Sequence, residues 1–466
     1  MKKLVFALAA IAAATTAHAG GLLHNTNQSI AWQRMMARGA TSEIDGIYTN
    51  PAGIAFMEHN GWALSLNIQS AFQKRDVTAT FPLFTTDDHT KKYEGKAAAP
   101  VIPSIYAMYK KDKWAVTAFF GMIGGGGKCS FDSGLPMFDA AVMAGIYNKT
   151  AQQIAANPAL GTVLGGPVTP DRYDIGTAMK GRQYIYGLQL GFAYKFNSHF
   201  SGFAGLRTNY FDGNYSGHVN VNAKTELEAK LAALGQSGTL TRILLDCNQK
   251  GWGVTPILGL DYKVGPLTLA AKYEFKTNLH IENDTKELVA EPAEFRQALA
   301  AFEHGVNTPN DLPAMLAVAA GYEILPKKLR AAVEYHYYDD KNAEMAGDKQ
   351  KALRHGTHEI LAGLEWDINK TFTVSGGFQN TDYGLSDNYQ THTSFSCDSY
   401  SLGLGGAVHF NDKVTLNVGY FWTTYKDYTK NVPAANPGGY CGTTLAGKDV
   451  FSRTNRVFGL GVDFKF

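Results

Sequence analysis

The chain has 466 residues, 45% hydrophobic and 18% charged, with Lys+Arg 43 against Asp+Glu 41. That balance excludes a nucleic-acid-binding footprint, which needs clustered excess base, and the aliphatic content excludes disorder. Aromatics at 12% together with 49 Gly favour many strands over a helical enzyme. Residues 1–19 read as a secretory leader. Lys2 and Lys3 precede an apolar run over 4–14, and Ala17-His18-Ala19 gives a small-x-small cleavage pattern. The run is too short to span a bilayer, and no Cys follows it to take a lipid. Residues 20–60 form the next unit and do not alternate. Asn27-Gln28-Ser29 offers a cap for a short helix through Met36, and 45–51 reads as loop.

From 61 to 466 the chain alternates with period 2. Leu267, Leu269, Ala271, Tyr273 and Phe275 oppose Thr268, Lys272, Glu274 and Lys276. Val414, Leu416, Val418, Tyr420 and Trp422 oppose Thr415, Asn417 and Gly419, and the end from Phe458 to Phe466 repeats the rhythm. The polar face includes Lys, Glu and Asp, and aromatics sit at run ends (Trp62 and Phe72, Tyr184 and Tyr194, Trp252 and Tyr262). These are marks of a bilayer-spanning barrel, whose closure leaves no unpaired edge in lipid. Short turns such as Lys110-Lys111-Asp112-Lys113 and Phe410-Asn411-Asp412-Lys413 alternate with long connections near 78–97, 128–180, 215–248, 283–311, 341–355, 384–396 and 429–448. The count predicts an all-β membrane barrel of about fourteen antiparallel strands. Such a lumen is wide enough for residues 20–60 to enter as a plug; a segment outside the barrel is the alternative.

One stretch resembles a known family. Asn27-Gln28-Ser29, then Arg34 and Arg38, then Asp45-Gly46-Ile47-Tyr48-Thr49-Asn50-Pro51-Ala52-Gly53 before an alternating strand is similar to the FadL/TodX outer-membrane transporters of long-chain fatty acids and other hydrophobic molecules. The resemblance implies a fourteen-strand barrel in the bacterial outer membrane, surrounded by its lipid and lipopolysaccharide, and a monomer. It implies a small N-terminal hatch with Asn50, Pro51, Ala52 and Gly53 at the constriction, and a kinked third strand that opens the wall sideways. Gly121, Gly124 and Gly125 are the kink candidates; a flexible start to the outer loop is the alternative.

The long connections are greasy. Leu135, Met137, Phe138, Val142, Met143, Ile146 and Tyr147 form a helical apolar set in one. Leu227, Leu231 and Leu234 in a second, and Phe295, Leu299 and Phe302 in a third, fall at i, i+4, i+7. Three such helices predict a groove for a hydrophobic molecule, or simply packing on one another. Arg207, Lys272, Lys276 and Arg330 point inward by parity and are candidates for a carboxylate head group, with ion pairs to Glu274, Glu334 or the hatch as the alternative. Cys129, Cys247, Cys397 and Cys441 lie in or beside long loops. An even count in an exported chain favours disulfides, with Cys129–Cys247 and Cys397–Cys441 expected. No CxxC occurs, so no metal is expected, and no cofactor either. No Ser-His-carboxylate setting stands out to suggest an enzyme. The readings are thus a passive transporter of hydrophobes, a general diffusion porin or a surface adhesin.

Overall fold

The computed structural model describes residues 21–466 apart from 437, with the backbone only at 294 and 298. The leader expected over 1–19 lies outside the described residues. Seventeen strands, β1 (Gly61–Thr80) to β17 (Gly447–Lys465), form one antiparallel sheet. Three wall places are each made of two broken pieces: β7 (Leu267–Glu274) with β8 (His280–Glu291), β9 (Asn307–Pro309) with β10 (Met315–Leu325), and β15 (Val414–Tyr425) with β16 (Tyr428–Val432). The result is a closed barrel of fourteen places. Closure is made by β1 on β17, in unbroken register from Ala63↔Lys465 to Thr80↔Lys448.

The period-2 pattern sets the two faces. Leu66, Ile68, Leu190, Leu206, Leu260, Leu364 and Leu404 are exposed on the outside, between rings such as Trp62, Tyr194 and Phe410 at one end and Tyr210 and Trp252 at the other. Inward positions on the same strands are polar and buried, among them Asn67, Gln69, Gln189, Arg207 and Asn209. An apolar belt between aromatic rims, wrapped round a polar interior, is what a bilayer selects. Among the described residues no helix is long and apolar enough to cross a membrane.

The strands run further than alternation predicts. β2 (Thr90–Lys111) begins well before residue 97, and β5 (Phe200–Ala223) and β6 (Thr239–Val264) take in most of 215–248. Beyond the belt both faces carry polar groups, so the hydrophobic rhythm fades while the ladder continues. The true outer connections hold helices Pro136–Ala156, Pro158–Leu164 and Thr225–Ala233 and a 3-10 segment Ala293–Phe302.

Residues 21–57 are almost wholly buried inside the wall. Their longest helix, Ile30–Met35, is capped by Ser29, whose side chain accepts from the Trp32 N–H, and a short helix Gly46–Thr49 stands within the stretch expected as loop. The longer helix lies against wall positions that carry no side chain. A Cβ on Gly363 or Gly377 would come 2.2 Å from the Met35 carbonyl oxygen, and one on Gly403 would come 2.2 Å from that of Gln33. Glycine in a strand weakens it, and here close backbone approach explains it.

Candidate functional site

The N-terminal segment is fastened to the wall by polar contacts. The Glu365 carboxylate, wholly buried, receives Arg34, Arg38 (3.6 Å) and Arg330 (2.5 Å). Arg38 also grips Asp45 at 2.8 Å and Glu43 at 2.6 Å, and Arg330 grips Asp367 at 2.7 Å. Arg34 donates further to Asn417 (3.2 Å) and Ser375 (2.9 Å). Buried charges need this kind of pairing. The Asn50–Gly53 element sits on the opposite wall. Asn50 Nδ2 donates to Asp261 at 2.6 Å and to the Thr41 carbonyl at 2.9 Å, and Ser201 donates to the Ala52 carbonyl at 2.7 Å. Pro51 is buried beside them. A Cβ on Gly53 would strike the Asn50 amide at 2.3 Å.

Besides the breaks between β7 and β8, β9 and β10, and β15 and β16, the ladder is interrupted between β2 and β3 (Trp114–Phe131). These two strands pair from Gly95↔Phe131 to Ala98↔Lys128, and again from Ile105↔Phe120. Between these, residues 99–104 and 121–127 have no partner across the seam. Gly125 and Gly127 there have φ of 90° and 71°, and the register between β3 and β4 (Tyr173–Lys195) shifts twice between Met122 and Gly127. The glycine run is therefore inside the strand, which continues to Phe131, and is not the start of a loop. Pro100 and Pro103 on the β2 side remove ladder donors in the same stretch.

The carbonyls that lose wall partners are met from inside. Asn25 N–H donates to the Ile123 carbonyl at 2.8 Å, and the Asn25 and Gln28 side-chain amides donate to that of Met122 at 3.3 and 2.9 Å. A Cβ at Gly124 would lie 2.3 Å from the Leu23 carbonyl, and one at Gly121 would lie 2.8 Å from Gln28 Oε1. The hatch and the irregular strand are thus one unit. The proline pair was the sequence signal for the seam that periodicity passed over.

The expected loop residues converge. Leu135, Phe138, Val142, Met143, Leu227, Leu299 and Phe302 are buried in one apolar cluster under the outer loops, and Ile146, Leu231 and Phe295 pack partly buried against it. Phe138 and Leu299 line only a small cavity of ≈ 30 Å³. Ile146, Leu227, Leu231 and Leu234 instead line a groove of ≈ 680 Å³, with Leu160, Leu164, Arg242 and Lys149 along its sides. Phe138 and Leu299 are therefore packing, whereas Ile146, Leu231 and Leu234 face the groove and Leu227 is buried at its floor.

The expected head-group cations are engaged elsewhere. Arg207 pairs with Glu274, Lys272 reaches Glu274 (3.0 Å) and the Tyr48 carbonyl (2.8 Å), and Lys276 pairs with Asp311 (3.2 Å). A second group was not legible in the sequence. Arg75 and Arg453 are register partners across the closing seam, both buried and inward. Arg75 donates to the Phe395 carbonyl (2.8 Å), and Arg453 lies over the Tyr425 ring (4.7 Å). Lys349 donates to the Ser394 carbonyl (2.6 Å) and lies over the Tyr389 ring (4.2 Å). Burial, then the neighbouring Arg75 and Lys430, push its ammonium well below the ordinary lysine range.

The expected disulfides are not formed; all four cysteines are free thiols. Cys129 is on β3 and Cys247 on β6, three wall places apart. At about 4.8 Å per strand that separation is about 14 Å, twice what a disulfide spans. The Cys397 thiol instead donates to the Phe451 carbonyl at 3.6 Å, and Cys441 lies in the separate turn Tyr440–Gly442. Among the described residues no group of His, Cys, Asp and Glu is arranged to hold a metal.

No family model matches the sequence, and no curated protein matches it. Solved structures do match. A Pseudomonas aeruginosa FadL homologue aligns with TM-score 0.66 at 12% identity, over 96% of this chain and 100% of that one. The Pseudomonas putida toluene transporter TodX aligns with TM-score 0.55 at 13% identity, over 96% and 100%. The Ralstonia pickettii toluene transporter TbuX aligns with TM-score 0.52 at 13% identity, over 94% and 98%. At such identity the likeness is one of fold, and it extends through the whole barrel.

Proposed function

We propose that the chain is an outer-membrane channel of the FadL/TodX type, a monomer without enzymatic activity, which carries hydrophobic small molecules inward passively. The observation that carries this reading is the interrupted β2–β3 seam, covered from inside by a hatch and overlain by an apolar outer layer. A molecule enters the groove of ≈ 680 Å³ beside Ile146, Leu227 and Leu231. Each methylene it buries there is worth ~0.8 kcal/mol, so contact alone can extract a lipid from water. Movement of the hatch around Asn50–Gly53 and withdrawal of Asn25 from Ile123 then open a path past Gly121, Gly124 and Gly125. The wall gap faces the hydrocarbon layer, so the cargo leaves sideways into lipid instead of through a water-filled pore. A hatch that occupies the lumen argues against a general diffusion porin.

Arg75, Arg453 and Lys349 converge beneath the outer loops, which favours an amphiphile with an anionic head, such as a fatty acid, over a bare hydrocarbon. The test is equilibrium binding of a fluorescent long-chain fatty acid and of toluene to the purified barrel. Saturable fatty-acid binding, weakened about tenfold by Leu231→Ser, supports the reading. A correctly folded protein with no saturable binding of either compound sinks it, as does a large, steady open-channel current.

A further inference from the structure

On the outside of the wall, next to the interrupted seam, lies a basic surface that the transport path does not use. The strands β17, β1, β2, β3 and β4 are consecutive neighbours there. Their register puts outward-facing Arg456, Lys128 and Arg182 at the level of Phe72, and Lys74, Lys96 and Lys180 one step further out. Six cations thus occupy two adjacent rows across five strands, a width of about 19 Å at 4.8 Å per strand. Arg182 pairs with Asp212 at 3.0 Å. The next level out holds Asp76 and Glu94, both engaged by Lys92 at 2.8 and 3.3 Å; Glu94 also faces Lys96 and Lys74. The other five cations make no ion pair among the described residues.

Their depth in the membrane follows from the apolar belt. On β1 the outward side chains Trp62, Leu66, Ile68 and Phe72 are exposed and apolar, with Leu64 half-buried and Ser70 the one polar residue among them. Ten residues at about 3.3 Å, tilted by about 40°, rise about 25 Å, which is the height of the belt of an outer-membrane barrel. The cations therefore stand at and just beyond its outer edge. That is where a lipid headgroup begins, and Lys and Arg there attract anionic lipid. Between them lies a depression of ≈ 660 Å³ floored by Phe72 and Ala98 and edged by Lys74, Lys96, Lys128 and Arg456.

We propose that this surface is a binding site for one phosphorylated glycolipid of the outer leaflet, of the lipid A class, held by phosphates on the two basic rows with acyl chains along Phe72 and Ile68. The charge selects this occupant. A zwitterionic phospholipid offers one phosphate with its own cation, whereas two phosphates on one sugar headgroup answer several cations at once. The site lies directly outward of the unpaired residues 99–104 and 121–127, so the bound lipid clamps β17, β1, β2 and β3 together above the opening. The inference rests on the outer-membrane placement proposed above and adds a partner to it.

The experiment uses the purified barrel in detergent, read by native mass spectrometry and thermal unfolding. The probes are diphosphoryl lipid A, its dephosphorylated form, phosphatidylethanolamine and inorganic phosphate. The expected result is one retained diphosphoryl lipid A, a raised unfolding temperature with that lipid alone, and at least tenfold weaker binding in Lys74→Gln/Lys128→Gln. Equal binding of the dephosphorylated lipid or of phosphatidylethanolamine overturns the proposal. So does full competition by millimolar phosphate, or unchanged binding in the double variant. If that variant does not fold, Lys96→Gln/Arg456→Gln replaces it, and the headgroup comparison on the unaltered protein decides without any variant. Fatty-acid binding measured on the same sample separates the two readings. Hydrophobe binding without headgroup selectivity removes only the lipid site, and selective lipid A binding without hydrophobe binding removes only the transport reading.

Discussion

Glu365→Gln tests how the hatch is held. In the folded chain this carboxylate has no exposure and is the shared anion of Arg34, Arg38 and Arg330. Glutamine keeps the shape and one acceptor but removes the charge. Arg38 retains Asp45 and Glu43, and Arg330 retains Asp367. Arg34 is left with the neutral Asn417 and Ser375. Breaking a buried pair from one side costs about 3–5 kcal/mol. Taking ~3 kcal/mol as the loss to the seated hatch, its unseated fraction rises by about two orders of magnitude, since every 1.4 kcal/mol is tenfold. Trypsin reads this directly, because Arg34 and Arg38 are buried when the hatch is seated. With opening fast relative to cleavage, the cut rate follows the open population. The expected result is cleavage about 100-fold faster than in the unaltered protein, with the barrel still shifting on heating in a gel. A cleavage rate within twofold of the unaltered protein refutes the assignment of Glu365 as the fastening.

Three further outcomes are expected. Gly124→Val drives a side chain into the Leu23 carbonyl, so it displaces residues 23–25, lowers the unfolding temperature and raises spontaneous conductance in planar bilayers; overpacking of this kind costs about 1–3 kcal/mol. Asp340, in the outer turn after β11 (Leu329–Tyr338), is pushed up to about 7 by burial, although it accepts the Thr357 N–H at 2.9 Å. Between about pH 4 and pH 7 the folded form binds more protons than the unfolded form, so stability falls as pH rises through that window and levels off above it, by up to ~4 kcal/mol; Asp340→Asn should flatten the slope of unfolding temperature against pH. Alkylating the denatured, unreduced protein should add four labels, and two or fewer would restore a disulfide.

Much of the barrel was legible because the bilayer imposes period 2 on every strand it touches, as at Val414–Trp422 and Phe458–Phe466. The ladder outside the membrane was not, since there the alternation no longer separates lipid from lumen. At Lys92, Tyr93 and Glu94 in β2 only the ring is buried. The hatch showed itself through its motif, but its seat did not. Gly363, Gly377 and Gly403 read as weak points in strands until a helix is laid across them. Inward parity correctly marked Arg207 and Lys272 as lumen cations, yet parity says nothing about partners. The pairing of Arg75 with Arg453 depends on where the sheet closes, and the two lie 378 positions apart. The cysteine pairings rested on nearness in barrel order, and three strand spacings between β3 and β6 are already too many for Cys129 and Cys247.

The missing ladder between β2 and β3 has an electrical side. Peptide groups facing oil cannot remain bare, and the Met122 and Ile123 carbonyls are clothed by Asn25 and Gln28. On the path proposed above, withdrawal of Asn25 and Gln28 strips both carbonyls in the same motion, and water or cargo must take over as their partner.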